Sequence, residues 1–223
     1  MPADILALFD LDHTLLPRDS DEQWVAFLIG RGALDRGRYD AANHELTARY
    51  NRGEAGAIEF TEFYLSTLVP FDEAELSRWR DEYIAEEIRP HISPAAAALV
   101  DAHRSAGDLV VLTTAVFRFL ADSIAAEFGI DHVIATEAQK VDGRYTGRIV
   151  GQPNIREGKY ERLVSWLAAR SATIAGFRES WFYADSLNDL PLLSRVTHPV
   201  VVNAGPTLAA HGRHLGWREL RIG

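Results

Sequence analysis

Ile5-Leu6-Ala7-Leu8-Phe9-Asp10-Leu11-Asp12-His13-Thr14-Leu15-Leu16 decides how the rest of the chain is read. Five apolar residues run straight into Asp10, and Asp12 and Thr14 follow at alternate positions. A short, continuous apolar run suits a strand buried on both faces of a parallel sheet. Open α/β sheets bind ligands outside the carboxyl ends of their strands, and the two acids fall at that end. Two carboxylates at the mouth of a buried strand are costly unless a cation or protons compensate. A single Asp there would read as a polar strand exit with a turn. The spacing DxDxT after a buried strand points instead to a functional site.

Beyond Leu16 the period changes from strand to helix. Ser20 or Asp21 can cap a helix that carries Trp24, Phe27 and Leu28 on one face and ends near Gly30 and Gly32. A polar helix is expected over 38–52, closed by Gly53. Phe60, Phe63, Tyr64, Thr67 and Leu68 form an apolar stripe that Pro70 breaks. Leu76, Trp79 and Tyr83 mark the next helix, stopped before Pro90. Residues 17–89 therefore read as helices only: a small unit, with its aromatics as its own core, inserted after the first strand.

From Ser93 a strand–helix rhythm begins. Ser93-Pro94 opens a helix that Gly107 ends. Residues 109–112 form a second buried strand ending in Thr113 and Thr114, and a helix is expected over 117–128. A short strand follows at 133–135, and Asp142-Gly143 sits between two extended runs as a hairpin signal. Residues 156–169 are helical with Lys159 in the first turn. Trp181-Phe182-Tyr183-Ala184 is a fourth strand running into Asp185-Ser186-Leu187-Asn188-Asp189. A short helix to Leu193, a strand over 199–202, a helix over 206–215 and an edge strand over 217–222 complete the chain. This alternation implies an α/β fold with a mostly parallel sheet and helices on both faces.

Composition narrows the function classes. Hydrophobic content of 47% and charged content of 25% are those of an ordinary globular protein. The formal charge is −9 with no Lys/Arg run, which argues against nucleic acid and anionic membrane as partners. There is no cysteine, hence no disulfide and no thiolate metal site. No stretch approaches the roughly 18 apolar residues of a membrane span, and no leader-like segment precedes the first strand. A cytoplasmic protein of undetermined oligomeric state is the expectation.

Parallel neighbours place the ends of the first, second and fourth strands on one rim, carrying Asp10/Asp12, Thr113/Thr114 and Asp185/Asp189, with Lys159 in reach. That set suits a phosphate ester held with a hard cation. Mg²⁺ takes oxygen ligands, commonly one or two carboxylates with waters and phosphate, and Asp10 and Asp185 are the natural pair. An Asp can attack phosphorus and form an aspartyl-phosphate. Asp12 is spaced to protonate the leaving alkoxide and then activate water, its pKa raised by the crowding of carboxylates. Thr113 and backbone N–H groups at a helix start can hold phosphoryl oxygens, and Lys159 supplies fixed positive charge. Taken singly, Thr113 would be a helix cap, Lys159 a solvated first-turn residue, and Asp185 and Asp189 helix-start acids; their order along the strand ends makes them a site.

In these four stretches the chain resembles the haloacid dehalogenase-like phosphohydrolases. The matching motifs are Asp10-Leu11-Asp12-His13-Thr14, Thr113, Lys159 and Asp185-Ser186-Leu187-Asn188-Asp189. The resemblance implies a Rossmann-like α/β/α core formed by 1–16 and 90–223, with a helical cap at 17–89. It implies that Asp10 is nucleophile and Mg²⁺ ligand, and that Asp12 is the acid/base and offers its backbone carbonyl to the metal. Asp185 would be the other carboxylate ligand, and Asp189 would support the metal through water or from behind. Thr114 and Asn188 are further candidates for phosphate or substrate contact. The helical insert and the short hairpin resemble the phosphoserine phosphatase-like branch. Thr113-Thr114-Ala115 departs from the Ser-Gly-Gly-like run of phosphoserine phosphatases, and Asp19 stands where they place a substrate-contacting Glu. The stretches 8–16 and 156–159 are similar to a bacterial phosphoserine phosphatase-like group, some members of which act on histidinol phosphate.

A phosphatase acting on a small phosphate monoester is the expected function, on phosphoserine or alternatively on histidinol phosphate. An amine-bearing ester is favoured, its ammonium on Asp19; Arg49 and Arg52 read as solvated helix-face residues rather than carboxylate contacts. Remoter readings are a phosphotransferase to a small acceptor, a catalytically silent ligand-binding relative and a receiver-like phosphorylation module. The receiver reading lacks a place for DxDxT and for the helical insert.

Overall fold

The computed structural model describes residues 3–52 and 54–222; the Gly53 expected to close the second helix lies outside them. In chain order, β1 (Ile5–Phe9) is followed by four helices, α1 (Ser20–Gly30), α2 (Arg36–Asn51), α3 (Ala57–Leu65) and α4 (Glu73–Tyr83). A π-turn at Ile84–Ile88 and a 3-10 turn at Arg89–His91 lead to α5 (Pro94–Ala106). Then come β2 (Leu109–Phe117), α6 (Arg118–Glu127), β3 (His132–Thr136) and the hairpin β4 (Ala138–Val141) and β5 (Arg144–Ile149). The chain continues through α7 (Glu157–Ala168), β6 (Glu179–Ala184), α8 (Leu190–Leu193), β7 (His198–Val202), α9 (Pro206–His214) and β8 (Arg218–Leu220).

Six strands form one sheet in the order β3-β2-β1-β6-β7-β8, and every pairing in it is parallel. The chain leaves β1 toward β2 and β3 and returns on its other side with β6, so strand order reverses at β1. Such a reversal opens a crevice at the carboxyl ends of the strands, and Asp10 stands at its centre. The unbroken apolar run of β1 is explained by its two faces. Ala7 and Phe9 join Val110, Leu112, Tyr183 and Val200 on the side covered by α5 and α6. Leu6 and Leu8 join Val111, Phe182 and Val201 on the side of α7, α8 and α9.

Local chemistry sets most element ends. Ser93 accepts the Ala96 N–H before Pro94, and Gly107 closes α5 in the left-handed region at φ 79°. Asp72 and Glu75 form a reciprocal capping box on α4. Asp142 (φ 49°) and Gly143 (φ 78°) make the two-residue turn of the hairpin, as the Asp-Gly pair demands.

Four expectations need correction. Asp19, not Ser20 or Asp21, caps α1: it is extended, and its side chain accepts the Glu22 N–H. The second strand does not stop at Leu112; β2 runs to Phe117, with a register shift against β3 between Thr113 and Phe117, and α6 begins at Arg118. The edge strand is confined to β8. The insert's aromatics do not close a separate core. Trp24 packs edge-on to Tyr83 within the insert and to Phe119 of α6 outside it, and one apolar cluster runs from the insert to the sheet. The hairpin leans on the insert, through Arg148–Glu62 at 2.7 Å and Lys140–Glu73 at 3.2 Å. Among the described residues no helix is long and apolar enough to cross a membrane.

Candidate active site

The Asp10 N–H still belongs to the sheet, donating to the Tyr183 carbonyl at 2.9 Å. Past it the chain turns sharply: the Leu11 carbonyl accepts the N–H groups of Thr14, Leu15 and Leu16, and His13 takes a positive φ of 58°. This turn folds Thr14 back under the rim. Its hydroxyl lies 3.2 Å from Asp10 Oδ2 and 3.3 Å from Asp185 Oδ1. One hydroxyl proton cannot serve both acceptors at once, so the carboxylates need another source of positive charge.

Lys159 supplies part of it. Its Nζ donates to Asp10 Oδ1 at 2.8 Å and to Asp189 Oδ1 at 2.5 Å, and the side chain is 4% exposed. Burial pulls this ammonium down, but Asp10 and then Asp189 outweigh it and hold the group above its ordinary value. Oxygens of Asp10, Asp185 and Asp189 lie within 4.8 Å of one another. Three carboxylates against one ammonium leave two negative charges uncompensated in a largely buried place. Burial first, then Asp10 and Asp189, push the Asp185 carboxyl up to about 7. Burial likewise lifts Asp189 to about 6, although Lys159 opposes it. Hard oxygen donors with an unmet double charge fit a divalent cation.

The position of Lys159 depends on the loop before it. A Cβ on Gly158 would stand 2.6 Å from the Pro153 carbonyl oxygen, so only glycine lets α7 start this close to that loop. The preceding Arg156 takes a strained conformation, φ 55° and ψ −128°. Its Nε donates to Asn188 Oδ1 at 3.0 Å, tying the loop before α7 to the loop after β6.

Of the two threonines expected from sequence to meet phosphate, only Thr114 lines the cavity. Thr113 is fully buried, and its Oγ1 accepts from Asn154 Nδ2 at 3.1 Å behind the rim. Thr114, one residue on and therefore on the opposite face, lines the cavity, its Oγ1 accepting the Val116 N–H at 3.2 Å. No helix start lies behind either hydroxyl, since β2 continues to Phe117. Asn154, which the sequence reading missed, also donates to the carbonyls of Thr114 and Ile134 at 2.9 Å each. It bridges β2 and β3 where their ladder is interrupted. The signal was available only in hindsight: a fully buried Asn between Pro153 and an essential glycine.

Asp12 stands apart from the three converging carboxylates. Its Oδ1 accepts the Ser20 N–H at 3.1 Å, at the start of α1. Burial, then Asp19 and Asp21, raise its carboxyl well above the usual range, which suits a proton carrier. Asp19 caps α1 and also faces the cavity. Asp21, which sequence reading considered only as a cap, faces it as well, and burial, then Asp19 and Glu22, raise its carboxyl well above the usual range. Arg49 and Arg52 lie outside, paired on the surface with Glu59 and Glu54.

The cavity that unites these groups has a volume of roughly 270 Å³. Phe60, Thr61 and Tyr64 from α3 form its wall opposite the strand ends, with Val116 and Ile155 at the side. All the expected site residues line it except Thr113. A larger hollow of about 610 Å³ beside Trp181, His198 and Trp217 has no carboxylate on its lining.

A parallel-sheet rim with a lysine-held Asp, a second Asp two residues on and a carboxylate cradle fits a phosphohydrolase of the α/β class. The sequence matches the family model of the haloacid dehalogenase-like hydrolases over residues 7–194. It is 39% identical over 218 residues to a histidinol-phosphatase of Neisseria meningitidis serogroup C (strain 8013), covering 97% of this chain and 98% of that protein. The phosphoserine phosphatase SerB1 of Mycobacterium tuberculosis (strain ATCC 25618 / H37Rv) is 32% identical over 230 residues, 97% of this chain and 71% of that protein. A solved structure of a Bordetella pertussis Tohama I protein of unknown function superposes with a TM-score of 0.95 at 45% identity, covering 98% of each chain. The chain belongs to the haloacid dehalogenase-like hydrolases, in the phosphoserine phosphatase-like branch, and is a phosphatase of phosphate monoesters.

Proposed function

We propose that the substrate is a small phosphate monoester whose alcohol carries an ammonium and no carboxylate, with histidinol phosphate preferred over phosphoserine. The observation that carries this is the charge of the cavity. Six Asp residues line it, 10, 12, 19, 21, 185 and 189, and Lys159 is the one Lys or Arg among its described lining residues. That lysine is already engaged by Asp10 and Asp189. A substrate carboxylate would meet like charge, at a cost of several kcal/mol, whereas an ammonium would be welcome. The name of the N. meningitidis relative agrees with this reading.

In the reaction, Asp10 attacks phosphorus while Asp12 gives its proton to the departing alkoxide, leaving an acyl phosphate (aspartyl-phosphate) on Asp10 and a free alcohol. Asp12, now a carboxylate, takes a proton from water as its oxygen attacks the same phosphorus, and the Asp10–phosphorus bond breaks to release phosphate. Lys159 holds Asp10 in place and offsets charge that spreads over the phosphoryl oxygens. The Thr114 hydroxyl, which lines the cavity, would donate to one of those oxygens. Asp10 and Asp185, with Asp189 behind them, would hold Mg²⁺, which when bound neutralises phosphate charge and lowers the electrostatic barrier to attack. Residues 1–16 and 90–223 then act as the catalytic core, and 17–89 as the cap that chooses the leaving group.

Steady-state hydrolysis of L-histidinol phosphate, L-phosphoserine and p-nitrophenyl phosphate in Mg²⁺ tests the assignment. Histidinol phosphate should exceed phosphoserine in kcat/KM by about tenfold or more, given the like-charge penalty. Preference for phosphoserine would refute it.

A further inference from the structure

Within the amine-bearing substrate reading above, we propose that Asp21, and not Asp19, is the carboxylate that receives the substrate ammonium. The two acids sit two residues apart at the start of α1 and both face the cavity, but their oxygens are committed differently. Asp19 is engaged by its own helix: its Oδ1 accepts the Glu22 N–H at 2.8 Å. Asp21 lies inside the first turn, and its Oδ1 is enclosed without a hydrogen-bond partner. Buried acceptors are almost always paired, because leaving one bare forfeits its solvation. An enclosed carboxylate oxygen without a partner, on a residue that lines the substrate cavity, is therefore a candidate acceptor for a donor from the substrate. Ser20 Oγ is also unpartnered, but Ser20 does not line the cavity.

The surroundings select the kind of donor. Asp12 and Asp19 add negative charge nearby, which favours a cation over a neutral hydroxyl. Phe60 and Tyr64 face each other edge-on at 5.4 Å and line the same cavity, keeping the local dielectric low and the attraction strong. Asp21 belongs to the insert and Asp10 to the strand end, so an ester bridging them must present its ammonium and its phosphate at opposite ends. An amino alcohol phosphate does so; an aryl phosphate reaches only the strand end.

The experiment compares wild type, Asp21→Asn and Asp19→Asn, all with Mg²⁺, on three esters: L-histidinol phosphate, its analogue lacking the amine, and p-nitrophenyl phosphate. Both variants keep a side-chain oxygen, so Asp19→Asn retains its cap. Asp21→Asn should lose on the order of tenfold to a hundredfold in kcat/KM on histidinol phosphate, mainly through KM, as expected for one charge-assisted hydrogen bond. Its activity on the other two esters should stay within about twofold, and Asp19→Asn should keep the wild-type preference for the amine. If Asp19→Asn loses that preference and Asp21→Asn keeps it, the assignment to Asp21 is overturned while the substrate reading stands. Equal loss of Asp21→Asn on all three esters would overturn it too, by making Asp21 a support of the phosphate site. If wild type itself shows no preference for the amine, the substrate reading fails, and the role of Asp21 with it.

Discussion

The two ends of the cavity are built on different electrostatic plans. At the strand ends the charged groups are bonded to one another: Lys159 bridges Asp10 and Asp189, and Thr14 lies between Asp10 and Asp185. On the insert side Asp19 and Asp21 form no ion pair with a Lys or Arg among the described residues; Asp19 accepts the Glu22 N–H and Asp21 keeps an unpaired oxygen. The first arrangement is internally bonded and, on the proposed mechanism, serves the phosphoryl group, which every monoester presents alike. The second is left incomplete, and on the proposed reading the leaving group completes it. Chemistry and choice are thereby separated between residues that meet only in the folded chain.

The largest effect should come from breaking the strand-end plan at Asp10, the proposed nucleophile. Asp10→Asn should lower kcat by about three orders of magnitude or more, since removing a covalent nucleophile forfeits the divided reaction path. Acid-quenched protein incubated with a ³²P-labelled ester should carry label in wild type and none in the variant, with circular dichroism unchanged. Lys159→Met comes next. It leaves two buried carboxylates without their cation, a loss of about 3–5 kcal/mol of stability for a broken buried pair. Chemical denaturation should show that loss in cation-free protein, and a much smaller loss with Mg²⁺ present. An equal loss in both conditions would mean that the cation and the lysine do not share the same carboxylates.

Cation removal sharpens the comparison from the other side. EDTA should abolish turnover, Mg²⁺ should restore it, and Ca²⁺ should support it poorly because its larger, looser shell displaces the reacting groups. Stability carries a pH signature. In cation-free protein burial, then Asp10 and Asp189, push the folded Asp185 carboxyl up to about 7 from an ordinary 3.8, so between those values it holds a proton that the unfolded chain releases. Folding stability therefore falls as pH rises from about 4 to about 7, and levels off above. Mg²⁺ removes that penalty, so its upward shift of the melting temperature should be larger at about pH 8 than at about pH 5. A shift independent of pH would place the cation elsewhere.

The smallest effect lies at the cap of α1. Asp19→Ala should cost about 1 kcal/mol of stability through the lost N-cap, and Asp19→Asn only a few tenths. Thermal melts of the two variants separate capping from substrate contact. Equal destabilisation by both would show that charge, rather than the hydrogen bond, holds the helix start.

Much of the rim was legible in the chain. Asp10, Asp185, Asp189 and Lys159 were located because strand ends and helix starts follow from short-range periodicity. The same reading offered both Thr113 and Thr114 as the hydroxyl and could not choose between them. Thr113 and Thr114 are chemically equal, and only the register shift of β2 against β3, with Asn154 inserted behind it, decides which one faces the cavity. The insert was legible as helices but not as part of the sheet's core, because Trp24 meets Phe119 across a separation no local pattern encodes.

The sequence by itself determined the buried β1, the acids at its end, the alternating elements and the Asp142-Gly143 turn. Each rests on the intrinsic geometry of a few neighbouring residues. Tertiary structure alone decided that Lys159 sits buried between Asp10 and Asp189, that Gly158 must lack a side chain, and that Asp19 is consumed by its helix while Asp21 is not. Those outcomes depend on burial and on which donor arrives from distant chain, and burial is what turns an ordinary carboxylate into one that needs a partner.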